Sequence, residues 1–267
     1  MGILEKIGLG EQFSGVAPGL QLAIFIIAIL IAVVAVFATG VSIYLAIKYV
    51  KYNRTMNKAG INGKDAARKI LDDNGLQHIR VSVGGSMMFG NSYSHYFKKI
   101  RLRRLTVKKN SISSLAMGAQ KSALAILDKE GDKDMRTRVK LTPIIFFGPI
   151  MFVPIVVIGV LLDILLFGFS GAVTVVAAVI GLSFYVLSFV MSIMVLKTEV
   201  KAQNRALEIL EKEHLADQEE REMMKSLFKL YNIEYVNNII LEFLEMILKV
   251  LEIVANAQHS NSMSKND

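Results

Sequence analysis

Three long apolar runs set the frame of this chain. The first extends from residue 20 to about 47 and meets no charge until Lys48. At about 1.5 Å per helical residue, such a run exceeds the ~30 Å hydrocarbon thickness of a bilayer. The second covers 143–169 and contains Pro149, Pro154 and, near its far end, Asp163. Proline is tolerated in a membrane helix where neighbours satisfy the freed carbonyls. The third covers 172–196 and stops at Lys197. The pattern predicts transmembrane helices over 20–50, 143–169 and 172–196, the last two joined as a hairpin. Residues 1–19 lack the basic start of a signal peptide, and the run that follows is too long for a signal core, so the first span reads as a retained anchor.

Between the runs the periods change. Asp65, Ala66, Ala67, Ile70 and Leu71 predict a short helix over 63–77, ended by Asn74-Gly75. Residues 79–83 and 100–107 alternate apolar and polar side chains, which predicts two strands joined by a loop containing Gly and Ser. A helix follows over 111–128. After the third run, 199–229 reads as a charge-laced helix pair within a polar segment over 197–231. The last helix, 232–257, is mostly apolar, yet Asn238, Glu242, Glu245, Lys249, Glu252 and Asn256 recur at alternating spacings of four and three. They form one narrow stripe. Two readings fit: a helix lying on a surface with its stripe in water, or a fourth membrane segment whose stripe faces partners, since ionisable groups avoid lipid. Residues 258–267 read as a disordered tail.

Charge orients this frame. Residues 48–140 hold 21 Lys/Arg against 7 Asp/Glu, whereas the turn between the second and third runs carries no Lys or Arg. Basic loops stay in the cytoplasm, so the segment 51–141 is expected to be a cytosolic domain of a multi-pass cell-membrane protein. Lys98, Lys99, Arg101, Arg103, Arg104, Lys108 and Lys109 form its densest cluster and would meet anionic lipid at about 1 kcal/mol per basic residue. Ordinary positive-inside bias accounts for the same residues. Nucleic acid is not expected, because the aromatic interleaving of single-strand binders is missing. The chain has no Cys, which excludes disulfides and thiolate metal sites, and no Trp, so any interfacial aromatic belt rests on Tyr and Phe.

One stretch carries a resemblance. Gly63-Lys64-Asp65-Ala66-Ala67-Arg68-Lys69-Ile70-Leu71-Asp72-Asp73-Asn74-Gly75-Leu76, followed by Ile79-Arg80-Val81, resembles the opening of the YugP-type membrane zinc metallopeptidases. His95-Tyr96, Asn110-Ser111-Ile112, Glu130-Gly131, Arg136, Arg138, Pro143, Arg205-Ala206-Leu207 and Tyr235-Val236 extend the match over roughly residues 55–255. The resemblance implies a mainly α, polytopic membrane protein with three or four transmembrane helices and a small α+β metallopeptidase-like domain. It also implies a zinc site built on a His-Glu-x-x-His helix, with two His on one face as ligands and Glu as general base.

In register, that motif belongs at positions 120–124, where this chain has Gln120-Lys121-Ser122-Ala123-Leu124. Its four histidines, His78, His95, His214 and His259, offer no pair at helical ligand spacing. Glu199 falls where the resemblance implies a third ligand, and His95 where it implies a loop near the active site. Lys121 and Ser122 are adjacent on a helix and point about 100° apart, which argues against a Ser–Lys dyad. A carboxylate deprived of its metal is costly to bury. The expectation is therefore that Lys121 pairs with Glu199 across the vestigial site and that Gln120 supplies hydrogen bonds; the alternative has Lys121 snorkelling to solvent. The resulting picture is a pseudoprotease with no cofactor or metal, acting as a membrane scaffold or assembly subunit, as a homo-oligomer or with another membrane protein. An active peptidase with displaced ligands, an anionic-lipid binder and a pore-forming oligomer are the competing readings.

Overall fold

A computed structural model describes residues 16–84, 90–168 and 171–263. The elements, in order, are α1 Pro18–Arg54, α2 Gly63–Asp73, β1 Arg80–Gly84, β2 Ser92–Ser94, β3 Lys99–Arg103, α3 Arg104–Lys108, α4 Ile112–Glu130, α5 Lys133–Phe167, α6 Ala172–Lys212 and α7 Gln218–Met263. The protein is mainly α with one small sheet. Two compact units form from discontinuous segments: Met1–Gly40, Gly148–Phe189 and Val236–Asp267 make one, and Val41–Phe147 with Val190–Tyr235 makes the other.

The second unit is built around α4. This helix is rich in Ala and Ser, apolar around most of its circumference, and buried from Ile112 to Leu127; a helix without a polar face belongs inside a core. Ser111 caps its start by accepting from the Ser114 amide at 3.2 Å, and Gly131 closes its end with φ 72°. α2 is capped in the same way by Asn62, whose side-chain oxygen accepts from the Lys64 and Asp65 amides. It crosses α4 backbone to backbone. A Cβ on Gly118 would collide with the Gly63 carbonyl oxygen, and one on Gly63 with that of Ser114. Ala66, Ala67, Ile70 and Leu71 of α2 meet Ile100 and Leu102 of β3 in one core with α4.

The sheet corrects the sequence reading. β3 is central, parallel to β1 from Arg80↔Lys99 to Gly84↔Arg103 and antiparallel to β2 from Ser92↔Arg101 to Ser94↔Lys99. The connecting loop thus contributes a third strand, β2; positions 85–89 of that loop lie outside the described residues. The strand expected over 100–107 stops at Arg103, whose described ladder partner is Gly84, the last residue of β1. Past Arg103 the chain coils into α3, and Thr106 is buried at the α2–α4 crossing.

The long helices also differ from expectation. α6 does not stop at Leu196 but runs on to Lys212, and the reversal that follows, with His214 at φ 52°, leads into α7, which is unbroken from Gln218. The expected break near 231 is missing because the sequence there offers no Gly or Pro to end a helix. α7 also continues to Met263, into the expected disordered tail, and its Gln258 side chain accepts from the Ala17 amide at 2.9 Å. Positions 264–267 of that tail, and 1–15 of the N-terminal segment, lie outside the described residues.

In the first unit, α5 and α6 pack through small residues, as close helix pairs do where both surroundings are apolar. A Cβ on Gly159 would collide with the Ala177 Cβ, and one on Gly181 would stand 3.0 Å from the Phe152 ring. Asp163 is buried and accepts from the Gly171 amide (2.5 Å), the Val173 amide and the Thr174 hydroxyl. It thereby satisfies the free amides at the start of α6. The residues between, 169–170, are not described. Two helices among the described residues, α1 and α6, are long and apolar enough to cross a membrane, and Met151–Phe167 is a shorter apolar stretch.

Candidate functional site

The midpoint of α4 presents Gln120, Lys121 and Leu124 inside the second unit, all buried. Glu199, on the continuation of α6, reaches them. Lys121 Nζ lies 3.0 Å from Glu199 Oε2, and Gln120 Nε2 donates to the same oxygen at 2.8 Å. The ion pair expected from the sequence is formed, and snorkelling is not: the Lys121 side chain is only 10% exposed and that of Glu199 17%. The other carboxylate oxygen accepts from Arg138 Nη2 at 2.7 Å. Both oxygens are therefore engaged by cationic donors. Burial alone would raise the Glu199 carboxyl; the Lys121 and Arg138 charges and their hydrogen bonds outweigh it and bring the pKa down to about 2.

This donor set does not suit zinc. Zinc takes lone pairs from imidazole, thiolate and carboxylate. Here one carboxylate is saturated by a Lys and an Arg, neither of which has a lone pair to give when charged, and the fourth group is an amide. Leu124 offers none. Among the described residues no three His, Asp or Glu converge as a metal site.

His95 does not join this cluster. Its Nδ1 lies 2.6 Å from Asp128 Oδ2, which also accepts from the Tyr93 hydroxyl at 2.6 Å. Asp128 sits two turns beyond Gln120 and Lys121 on α4. Burial, with the Asp128 hydrogen bond adding to it, pushes the Tyr93 phenol up. His95 and Arg138 line one cavity of about 530 Å³, which leaves the two clusters as near neighbours.

Of the basic cluster, Lys99, Arg101 and Arg103 alternate with buried Ile100 and Leu102 and so point away from the core. Lys98 lies 3.8 Å from Asp128, and Arg104 and Lys108 are exposed while Lys109 is half-buried. They surround β3 without converging on a point. On α7, Asn238, Glu245 and Glu252 are exposed, Glu242 and Lys249 half-buried, and the Lys249 ammonium stands 4.9 Å from the Tyr185 ring centroid. The stripe does not claim the whole open side of this helix, because Ile240, Phe243 and Val254 are exposed as well.

A family model described as "Putative neutral zinc metallopeptidase" matches residues 25–255. The chain belongs to this family. The match takes in α4 and Glu199 as well as the apolar helices, so the metallopeptidase resemblance is not confined to the 63–81 stretch. No curated protein and no solved structure matches the chain.

Sequence reading misses two partners. Arg138 reads as a basic residue near a span end and as part of the resemblance, with no partner assigned, although it and Glu199 each lie about 30 residues from the hairpin turn and are therefore level on antiparallel helices. Asp128 gives no signal of its own; its partner Tyr93 comes from the strand that reads as loop.

Proposed function

We propose that this member of the metallopeptidase family is non-catalytic and serves as a membrane-anchored scaffold or assembly subunit. The observation that carries the reading is the saturation of Glu199 by Lys121, Arg138 and Gln120. A peptidase needs an open metal position and a base; this cluster offers a closed knot of charge with the base's place held by Lys121. The family fold remains while its chemistry does not, since function resides in the site and not in the fold.

α1, the apolar part of α5 and the first half of α6 act as the anchor, with the basic unit on the cytosolic side. The exposed apolar faces of these helices support this reading: Val36 is 75% and Leu165 77% exposed, values no water-facing surface sustains over whole helices. The polar stripe of α7 is the surface for a second copy or another membrane protein. A chelator-sensitive peptidase activity in purified full-length protein would overturn the non-catalytic reading. Alkaline carbonate extraction tests the anchor: the protein stays with the membrane pellet, and release into the supernatant would contradict it. Cross-linking through single cysteines placed on the stripe tests assembly, with no background because the chain has no Cys.

A further inference from the structure

The cavity beside Arg138 has a composition that the scaffold reading leaves unused. Met135, Arg138, Val139 and Thr142 line one wall, at the i, i+3, i+4, i+7 spacing of a single face of α5. Arg101 of β3 also lines it, and no Asp or Glu is among the described lining residues. The Tyr96 hydroxyl donates to the Val139 carbonyl at 3.1 Å, holding the β2–β3 turn against α5, and Phe97 beside it is 74% exposed. Arg138 gives Nη2 to Glu199, while its Nη1 is buried with no partner among the described residues. Arg138 and Arg101 are the two guanidinium groups that border the cavity.

The position along α5 says which anion reaches them. Thr142 is the last residue before the apolar run, and Arg138 lies about one helical turn earlier, at the depth where phospholipid headgroups sit if that run spans the bilayer. We propose that this cleft is a binding site for one anionic phospholipid. The phosphate sits between Arg138 and Arg101, and the glycerol lies against Val139, Thr142 and Phe97. This inference rests on the membrane reading of α5, and it differs from diffuse attraction to the basic cluster by requiring a cavity.

Native mass spectrometry of the full-length protein in detergent, equilibrated with phosphatidylglycerol, phosphatidylcholine or inorganic phosphate, tests it. One phosphatidylglycerol per chain is retained in preference to phosphatidylcholine. Arg101→Gln, which leaves the Glu199 cluster untouched, lowers retention about fivefold, one basic residue's share. Val139→Trp fills the cleft and abolishes retention with the surface charge unchanged. Equal retention of the two lipids, or full retention in Val139→Trp, would overturn the proposal. So would inorganic phosphate binding where phosphatidylglycerol is not held. Carbonate extraction of the same protein separates the failures: a soluble chain refutes the anchor, whereas an integral chain without bound phosphatidylglycerol refutes this inference alone.

Discussion

Two carboxylates in the second unit, Glu199 reaching α4 from α6 and Asp128 carried by α4 itself, are treated in opposite ways. Glu199 is held by two cations and an amide. Asp128 is held mainly by a phenol and an imidazole, with Lys98 at 3.8 Å on the exposed side. A buried charge must be matched by hydrogen bonds or countercharge. At Glu199 the match is made by two cationic side chains and one amide, so the cluster is a structural tie between α4, α5 and α6. At Asp128 the match is made by a phenol that burial keeps protonated and by an imidazole nitrogen, so that cluster is a hydrogen-bonded tie between α4 and the β2–β3 segment. The contrast between the two clusters therefore begins at positions 120 and 121, one short segment of α4.

The largest effect is expected from Glu199→Leu, which strands Lys121 and Arg138 together. Loss of one partner from a buried charge cluster costs about 3 kcal/mol, and thermal unfolding of detergent-solubilised protein reads it. Lys121→Met leaves Arg138 and Gln120 in place and costs less, about 2 kcal/mol; a neutral result would mean that the Lys121 ammonium contributes no net stability. Acid sharpens the contrast. The Glu199 pKa is depressed from 4.5 to about 2 in the folded state, so its contribution is present above pH 4.5 and is lost as pH falls from there through 2. The unfolding midpoint should drop across that window, and Glu199→Gln should flatten the drop. The smallest effect belongs to Tyr93→Phe, which removes one hydrogen bond to Asp128 for about 1 kcal/mol. A larger loss there than at Lys121 would invert the comparison.

Much of this arrangement is legible in the amino-acid sequence, and the exceptions share a cause. α2 and α4 announce themselves by period and by caps, Asn62, Ser111 and Gly131, which act locally. The Lys121–Glu199 pair is legible because the resemblance sets the two residues in one register. What stays hidden depends on distant ladders and helix levels. Residues 104–107 alternate as well as 100–103 do, yet only the latter have β1 beside them. Arg138 is one of many basic residues until α5 and α6 are set antiparallel. The expected joins at 196 and 231 fall where polarity changes, but backbone hydrogen bonding is indifferent to polarity, and both helices run through.

The central claim is that Lys121, Gln120 and Leu124 have closed the family's metal position. Zinc content of the full-length natural protein, measured beside a Gln120→His, Lys121→Glu, Leu124→His variant purified in the same way, tests it most directly. The natural chain is expected to carry no stoichiometric zinc after dialysis, and the variant, with Glu199 freed from Lys121, to retain it. One tightly held zinc per natural chain would contradict the closure.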